Sequence, residues 1–166
     1  MAEYHKIIVL CQPRLKMMSY SGELMAGSKI NPEGKPIYLI SIVGKYSMPR
    51  DFGEFPENSK MLMLEFEDIV EGNGKMLDSD AEAIWEFVEE AMEKDVIIMV
   101  HCLEGVSRSA AAAIGIAEIY PDCKVDFLEY GVLNVDGHDI KADPNFGPNH
   151  QMHPNRHVLK LMRICA

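Results

Sequence analysis

The chain has 166 residues, 48% hydrophobic and 25% charged. That is the composition of one globular domain with its own core, and it excludes a disordered, collagen-like or coiled-coil chain. The net charge of −10, from 26 acidic and 16 basic residues, argues against a broad phosphate-backbone footprint and against an anionic membrane surface, so neither nucleic acid nor membrane is an expected partner.

Taken in chain order, Met1–Lys6 leads into an apolar run too short for a signal peptide, so a cytoplasmic protein is expected. No run of about 18 uncharged apolar residues offers a membrane span. Tyr4–Leu10 is rich in isoleucine and valine and reads as a strand. A short helix is expected within Gln12–Ile30, followed by a turn at Asn31-Pro32-Glu33-Gly34. Pro36–Val43 and Met61–Phe66 are nearly continuous in apolar residues and read as strands covered on both faces, with an irregular surface loop, Lys45–Ser59, between them.

From Asp78 the pattern turns helical. Ser79-Asp80-Ala81-Glu82 fits a capping box, and Ile84, Phe87, Val88, Ala91 and Met92 form an apolar face of helical period. Val96–Val100 is a fourth strand, and a glycine-containing turn follows at His101–Arg108. Ser109–Tyr120 is a small-residue helix stopped by Pro121, and a last helix is expected from about Asn155 to Cys165. Trp85, Phe87 and the twelve methionines read as packing. Residues 1–166 therefore read as a single α/β domain. A central, mostly parallel sheet of about four or five strands is flanked by helices, and a short anion-binding loop joins the last strand to a helix.

The segment with chemistry in it is Val100-His101-Cys102-Leu103-Glu104-Gly105-Val106-Ser107-Arg108-Ser109. A strand ends in a cysteine, and five residues separate it from an arginine that opens a helix. A loop closing onto a helix N-terminus aims its backbone N–H groups inward as an anion cradle. Gly105 permits the tight path, and Arg108 can meet two oxygens of a bound oxyanion with its planar fork. Cys102 lies at the base of that cradle, where helix dipole, N–H groups and Arg108 favour its thiolate. Cys11, Cys123 and Cys165 have no such setting and read as packing thiols.

HCLEGVSRS resembles the HCxxGxxR[ST] signature of the cysteine-dependent protein tyrosine phosphatases, in particular their small dual-specificity branch. The resemblance extends over Met61–Tyr120, and more weakly to Pro154-Asn155-Arg156-His157-Val158. It implies that Cys102 attacks phosphorus to form a phosphocysteine. Leu103, Glu104, Gly105, Val106, Ser107 and Arg108 would bind the phosphoryl oxygens. Ser109 would stabilise the departing thiolate, and His101 would order the loop behind the cysteine. A carboxylic acid must protonate the leaving group. Asp68, just past a strand end on a loop, is favoured by the rule that ligands lie at the carboxyl ends of strands in open α/β sheets and by the resemblance; Glu67 is next and Glu71 after it.

The implied substrate is a phosphorylated protein or peptide, carrying phosphotyrosine and, at a shallow site, phosphoserine or phosphothreonine. No cofactor and no metal are expected. Asp143, His150, His153 and His157 could suggest a metal site, but Pro154 separates the last two histidines and no cysteine joins them. A phosphatase of non-protein phosphate esters uses the same chemistry, but the variable loop positions carry no basic residue and Glu104 would repel a polyanionic head group. A phosphopeptide-binding module without turnover usually lacks the cysteine, arginine or acid. A sulfurtransferase lacks the arginine–serine ending. An arsenate reductase needs a second cysteine, which Cys11, Cys123 or Cys165 could supply only if the fold brought it close.

Overall fold

A computed structural model describes residues 5–47, 49–105, 107–129, 133–135, 138–142 and 154–166, with the backbone course alone for 133–135 and 138–142. Five parallel strands form the centre: β1 (Lys6–Cys11), β2 (Ile37–Val43), β3 (Lys60–Glu65), β4 (Ile97–Cys102) and β5 (Lys124–Phe127). Two further strands, β6 (Leu133–Val135) and β7 (His138–Ala142), extend the sheet beyond β5, giving the order β3-β2-β4-β1-β5-β7-β6. β7 runs parallel to β5, and β6 antiparallel to β7. The helices are α1 (Gln12–Ser21), α2 (Asp78–Met92), α3 (Arg108–Ile119) and α4 (Arg156–Ile164).

β2 and β4 are buried along their whole length and β1 in all but its end residues, as runs of aliphatic side chains covered on both faces must be. Alternation sorts those side chains. Ile7, Val9, Ile40, Ile42, Ile98 and Val100 face a layer made by α2, α3 and α4. Ile8, Leu10, Leu39, Ile97 and Met99 face Leu15 and Met18 of α1. The chain leaves β1 through α1 to β2 in one direction across the sheet, and leaves β4 through α3 to β5 in the other. With right-handed crossovers, that reversal puts α1 and α3 on opposite faces and opens a crevice at the carboxyl ends of the central strands.

Three expectations need correction. Met61–Phe66 is not buried on both faces: β3 is an edge strand, and Met61 and Met63 are exposed. The anion loop does not follow the last strand, because β5, β6 and β7 come after it in sequence; β4 is instead central, between β1 and β2. The cap of α2 lies earlier than Ser79: Leu77 stands at the N-cap, and Asp80 accepts a hydrogen bond from the Leu77 N–H at 2.8 Å. The short helix expected within Gln12–Ile30 is present as α1, which stops at Ser21, where Gly22 takes a left-handed conformation.

Candidate active site

β4 ends at Cys102, and α3 begins at Arg108. The intervening loop folds back over the end of β1. Gly105 has φ +71°, and a Cβ there would stand 2.7 Å from both the Cys11 nitrogen and the Leu10 carbonyl carbon. Only glycine satisfies both the left-handed backbone and this approach. The Gln12 N–H, donating to the Leu103 carbonyl at 3.1 Å, fixes the loop to the start of α1. Ser107 is the N-cap of α3 but makes no side-chain capping bond. The first N–H groups of α3 have no acceptor within their own helix.

Cys102 is 2% exposed. Its Sγ receives the Gly105 N–H at 3.2 Å and lies 3.1 Å from the Ser109 hydroxyl. Arg108 is 7% exposed, and its Nη1 donates to the Phe66 carbonyl at 2.8 Å. Its Nε–H is buried without an acceptor among the described residues, so an oxyanion in the loop would satisfy a donor that those residues leave unmatched.

His101, in register with Ser41 on β2, points to the opposite face from Cys102 and packs edge-on against Phe52. A chain of donors fixes its tautomer. Arg50 Nη1 donates to Ser41 Oγ at 3.3 Å. Ser41 then turns its own hydrogen to His101 Nε2 at 2.6 Å. The ring proton is left on Nδ1, which donates to the Cys102 carbonyl at 3.2 Å. Burial pushes the imidazole down from its ordinary 6.5 to about 4; the charges of Arg50 and Arg108 add to this, and the bond to Cys102 opposes it.

Asp68 comes to the same edge. Its Oδ1 accepts from Ser107 Oγ at 2.6 Å and from Asn155 Nδ2 at 2.8 Å. Phe66, two residues earlier, is held by Arg108, so the loop carrying Asp68 is fastened directly to the Cys102–Arg108 loop. A groove of about 440 Å³ opens beside Asp68, lined also by Glu71, Ser107, Pro154 and Asn155. Glu67 is occupied elsewhere: its Oε1 accepts the Lys45 N–H at 2.7 Å, and its side chain fills the space between Gly44 and Gly74. A larger cleft, about 600 Å³, lies at the opposite end of the sheet among Lys6, Lys29, Asn31 and Lys94, away from every candidate residue.

The fold thus brings together Cys102, Leu103, Glu104, Gly105, Ser107, Arg108, Ser109, His101 and Asp68. Val106, Asp143, His150 and His153 lie outside the described residues. His157 faces the Met76 carbonyl at 2.8 Å. Among the described residues no group of three or more histidine, cysteine or acidic side chains could hold a metal ion, and no helix is long and apolar enough to cross a membrane. Sequence reasoning missed Ser41, Arg50 and the contact of Asn155 with Asp68. Cys11 stands in register with Cys102 on the neighbouring strand; its thiol is pushed up to about 11, chiefly by burial. Compared with known proteins, the chain matches no protein-family model and no curated protein.

Proposed function

We propose that the protein is a cysteine-dependent phosphatase of phosphorylated proteins, acting on phosphotyrosine and, at its shallow rim, on phosphoserine and phosphothreonine. The observation that carries this reading is the convergence of the Gly105 N–H and the Ser109 hydroxyl on the buried Cys102 Sγ at the mouth of α3, beside the Arg108 Nε–H, which meets no acceptor among the described residues. Leu103 and Asp68 are exposed at the rim, which suits short side chains as well as the long phosphotyrosine.

Cys102, as thiolate, attacks phosphorus; the S–P bond forms as the ester P–O bond breaks. Asp68 delivers its proton to the departing oxygen. Arg108 and the loop N–H groups hold the phosphoryl oxygens through the transition state. Water then attacks the phosphocysteine and Asp68 takes its proton. The S–P bond breaks, and the Ser109 hydroxyl hydrogen-bonds the returning thiolate.

The test is phosphate release from phosphotyrosine peptides, phosphoserine peptides and non-protein phosphate esters. Cys102→Ser is expected to lower turnover by at least about 10³-fold. A variant within about tenfold of the parent overturns Cys102 as nucleophile.

A thiol-dependent arsenate reductase is the second reading, favoured by the register of Cys11 with Cys102. It would require Cys11 to attack the Cys102 sulfur and expel arsenite. With its thiol at about 11, Cys11 is protonated at neutral pH and a poor attacking group, so the phosphatase reading stands first. Arsenite production that Cys11→Ser abolishes would reverse that order.

A further inference from the structure

Asn155 caps α4, and for that task alone serine, threonine or aspartate would serve as well. Its Oδ1 accepts the N–H groups of His157 at 3.0 Å and Val158 at 3.1 Å. Those two backbone donors settle which end of the amide is oxygen. The nitrogen end is therefore turned to the Asp68 loop, where Nδ2 donates to Asp68 Oδ1 at 2.8 Å and to the Ile69 carbonyl at 3.1 Å. The Asn155 backbone N–H donates to the Ser107 carbonyl at 3.2 Å. The residue is 5% exposed, so solvent competes little for these bonds. Only an amide can accept at one end and donate twice at the other.

We infer that Asn155 is the positioning residue for the general acid: its amide, with the Ser107 hydroxyl, holds Asp68 Oδ1 so that the proton for the leaving group sits on Oδ2. Both donors point at Oδ1, and an oxygen engaged by two donors is a poor site for a proton. Because the same asparagine grips the Ser107 carbonyl, the acid is kept in fixed relation to the loop that holds the phosphoryl group. This rests on the phosphatase reading.

The experiment measures kcat and KM across aryl phosphates from dinitrophenyl to phenyl phosphate. The proteins compared are the parent, Cys102→Ser, Asp68→Asn, Asn155→Ser, Asn155→Asp and the double variant Asp68→Asn/Asn155→Ser. Asn155→Ser is expected to lower kcat about tenfold for phenyl phosphate and less than about twofold for the dinitrophenyl ester, with KM held within about twofold, part of the 10²–10⁴-fold a general acid contributes. In the Asp68→Asn background the same change is expected to add less than about twofold, because the acid it positions is gone.

Asn155→Asp keeps both cap bonds of α4 and removes the donor, so it separates the acid contact from the fold; the same dependence on the leaving group is expected. Losses equal for all esters and undiminished in the Asp68→Asn background, or an Asn155→Asp protein with the parent's leaving-group dependence, overturn the inference. A parent protein that hydrolyses none of the esters overturns the phosphatase reading and this with it. Turnover abolished by Cys102→Ser, combined with uniform losses at Asn155, overturns this inference alone.

Discussion

Cys102 and His101 are neighbours in the chain, yet the pleat sends them to opposite faces, one into the anion loop and the other into the sheet core against Phe52. That alternation gives the histidine a measurable signature. Its imidazole titrates at about 4 when folded against an ordinary 6.5, so between those values the unfolded chain binds the extra proton. Stability contributed by the neutral ring is therefore fully present above pH 6.5 and is lost as pH falls toward 4. The slope approaches about 1.4 kcal/mol per pH unit, and the loss between pH 6.5 and 5 is about 1.6 kcal/mol, before most carboxylates protonate. Urea midpoints measured across that interval should fall with pH in the parent and flatten in His101→Asn. An unchanged slope in the variant would place the titrating group elsewhere. The candidate site was readable to the extent that it is local: Cys102, Gly105, Arg108 and Ser109 fall within eight consecutive residues. Ser41, Arg50 and Asn155 reach the site across long stretches of chain, the first and last over 60 and 87 residues respectively. Nothing around Ser41 or Arg50 marks them, and the segment around Asn155 suggested only a helix start; the register of β2 with β4 and the docking of α4 bring them to the site.

Among the elements, α3 and α4 pack so closely that side-chain size at one position decides their distance. A Cβ on Gly115 would lie 2.7 Å from the Met162 Cβ. Alanine in mid-helix ordinarily gains about 1 kcal/mol over glycine, but neither Cβ can rotate away from this contact, and overpacking costs about 1–3 kcal/mol. Gly115→Ala is therefore expected to destabilise the protein by about 1 kcal/mol net, read as a lower urea midpoint at unchanged slope; a raised midpoint would mean that α4 shifts freely. The same packing explains which elements could be read in advance. α2 announced itself because Ile84, Val88 and Ala91 recur at helical period, although the structure also buries Ala81 and Trp85, whose indole donates to the Met162 carbonyl at 3.0 Å. β1, β2 and β4 were legible as aliphatic runs. β5, β6 and β7 were not: Lys124–Phe127, Leu133–Val135 and His138–Ala142 are three to five residues long and mix polar or charged with apolar residues. They pair because the sheet edge at β1 and then β5 supplies the partner. β3 carried the opposite error, since an apolar run does not reveal that no strand lies beyond it.

At the scale of the whole molecule, the proposed function asks a chain of net charge −10 to hold an anion against its own field. Arg108 is buried in the loop, while Glu104, Asp68 and Glu71 stand exposed around its mouth. The near field at Cys102 and the far field met by an approaching substrate thus have opposite signs. Contacts within the loop are too short for salt to screen, whereas repulsion acting beyond about 8–10 Å is screened at 0.1–0.15 M ionic strength. Salt should therefore change encounter and leave the chemical step alone. For an acidic phosphopeptide, kcat/KM is expected to rise about threefold as sodium chloride is raised from low to near-physiological concentration, with kcat constant. A peptide flanked by lysine and arginine should show the reverse, since the field that repels the first attracts the second. Glu104→Gln and Glu71→Gln should each reduce the salt dependence of both peptides without altering kcat, because both changes keep the backbone and alter only carboxylates exposed at the rim. If kcat/KM for the acidic peptide instead falls with added salt, the positive charge of the loop reaches beyond its mouth and the acidic surface has no part in selecting substrates.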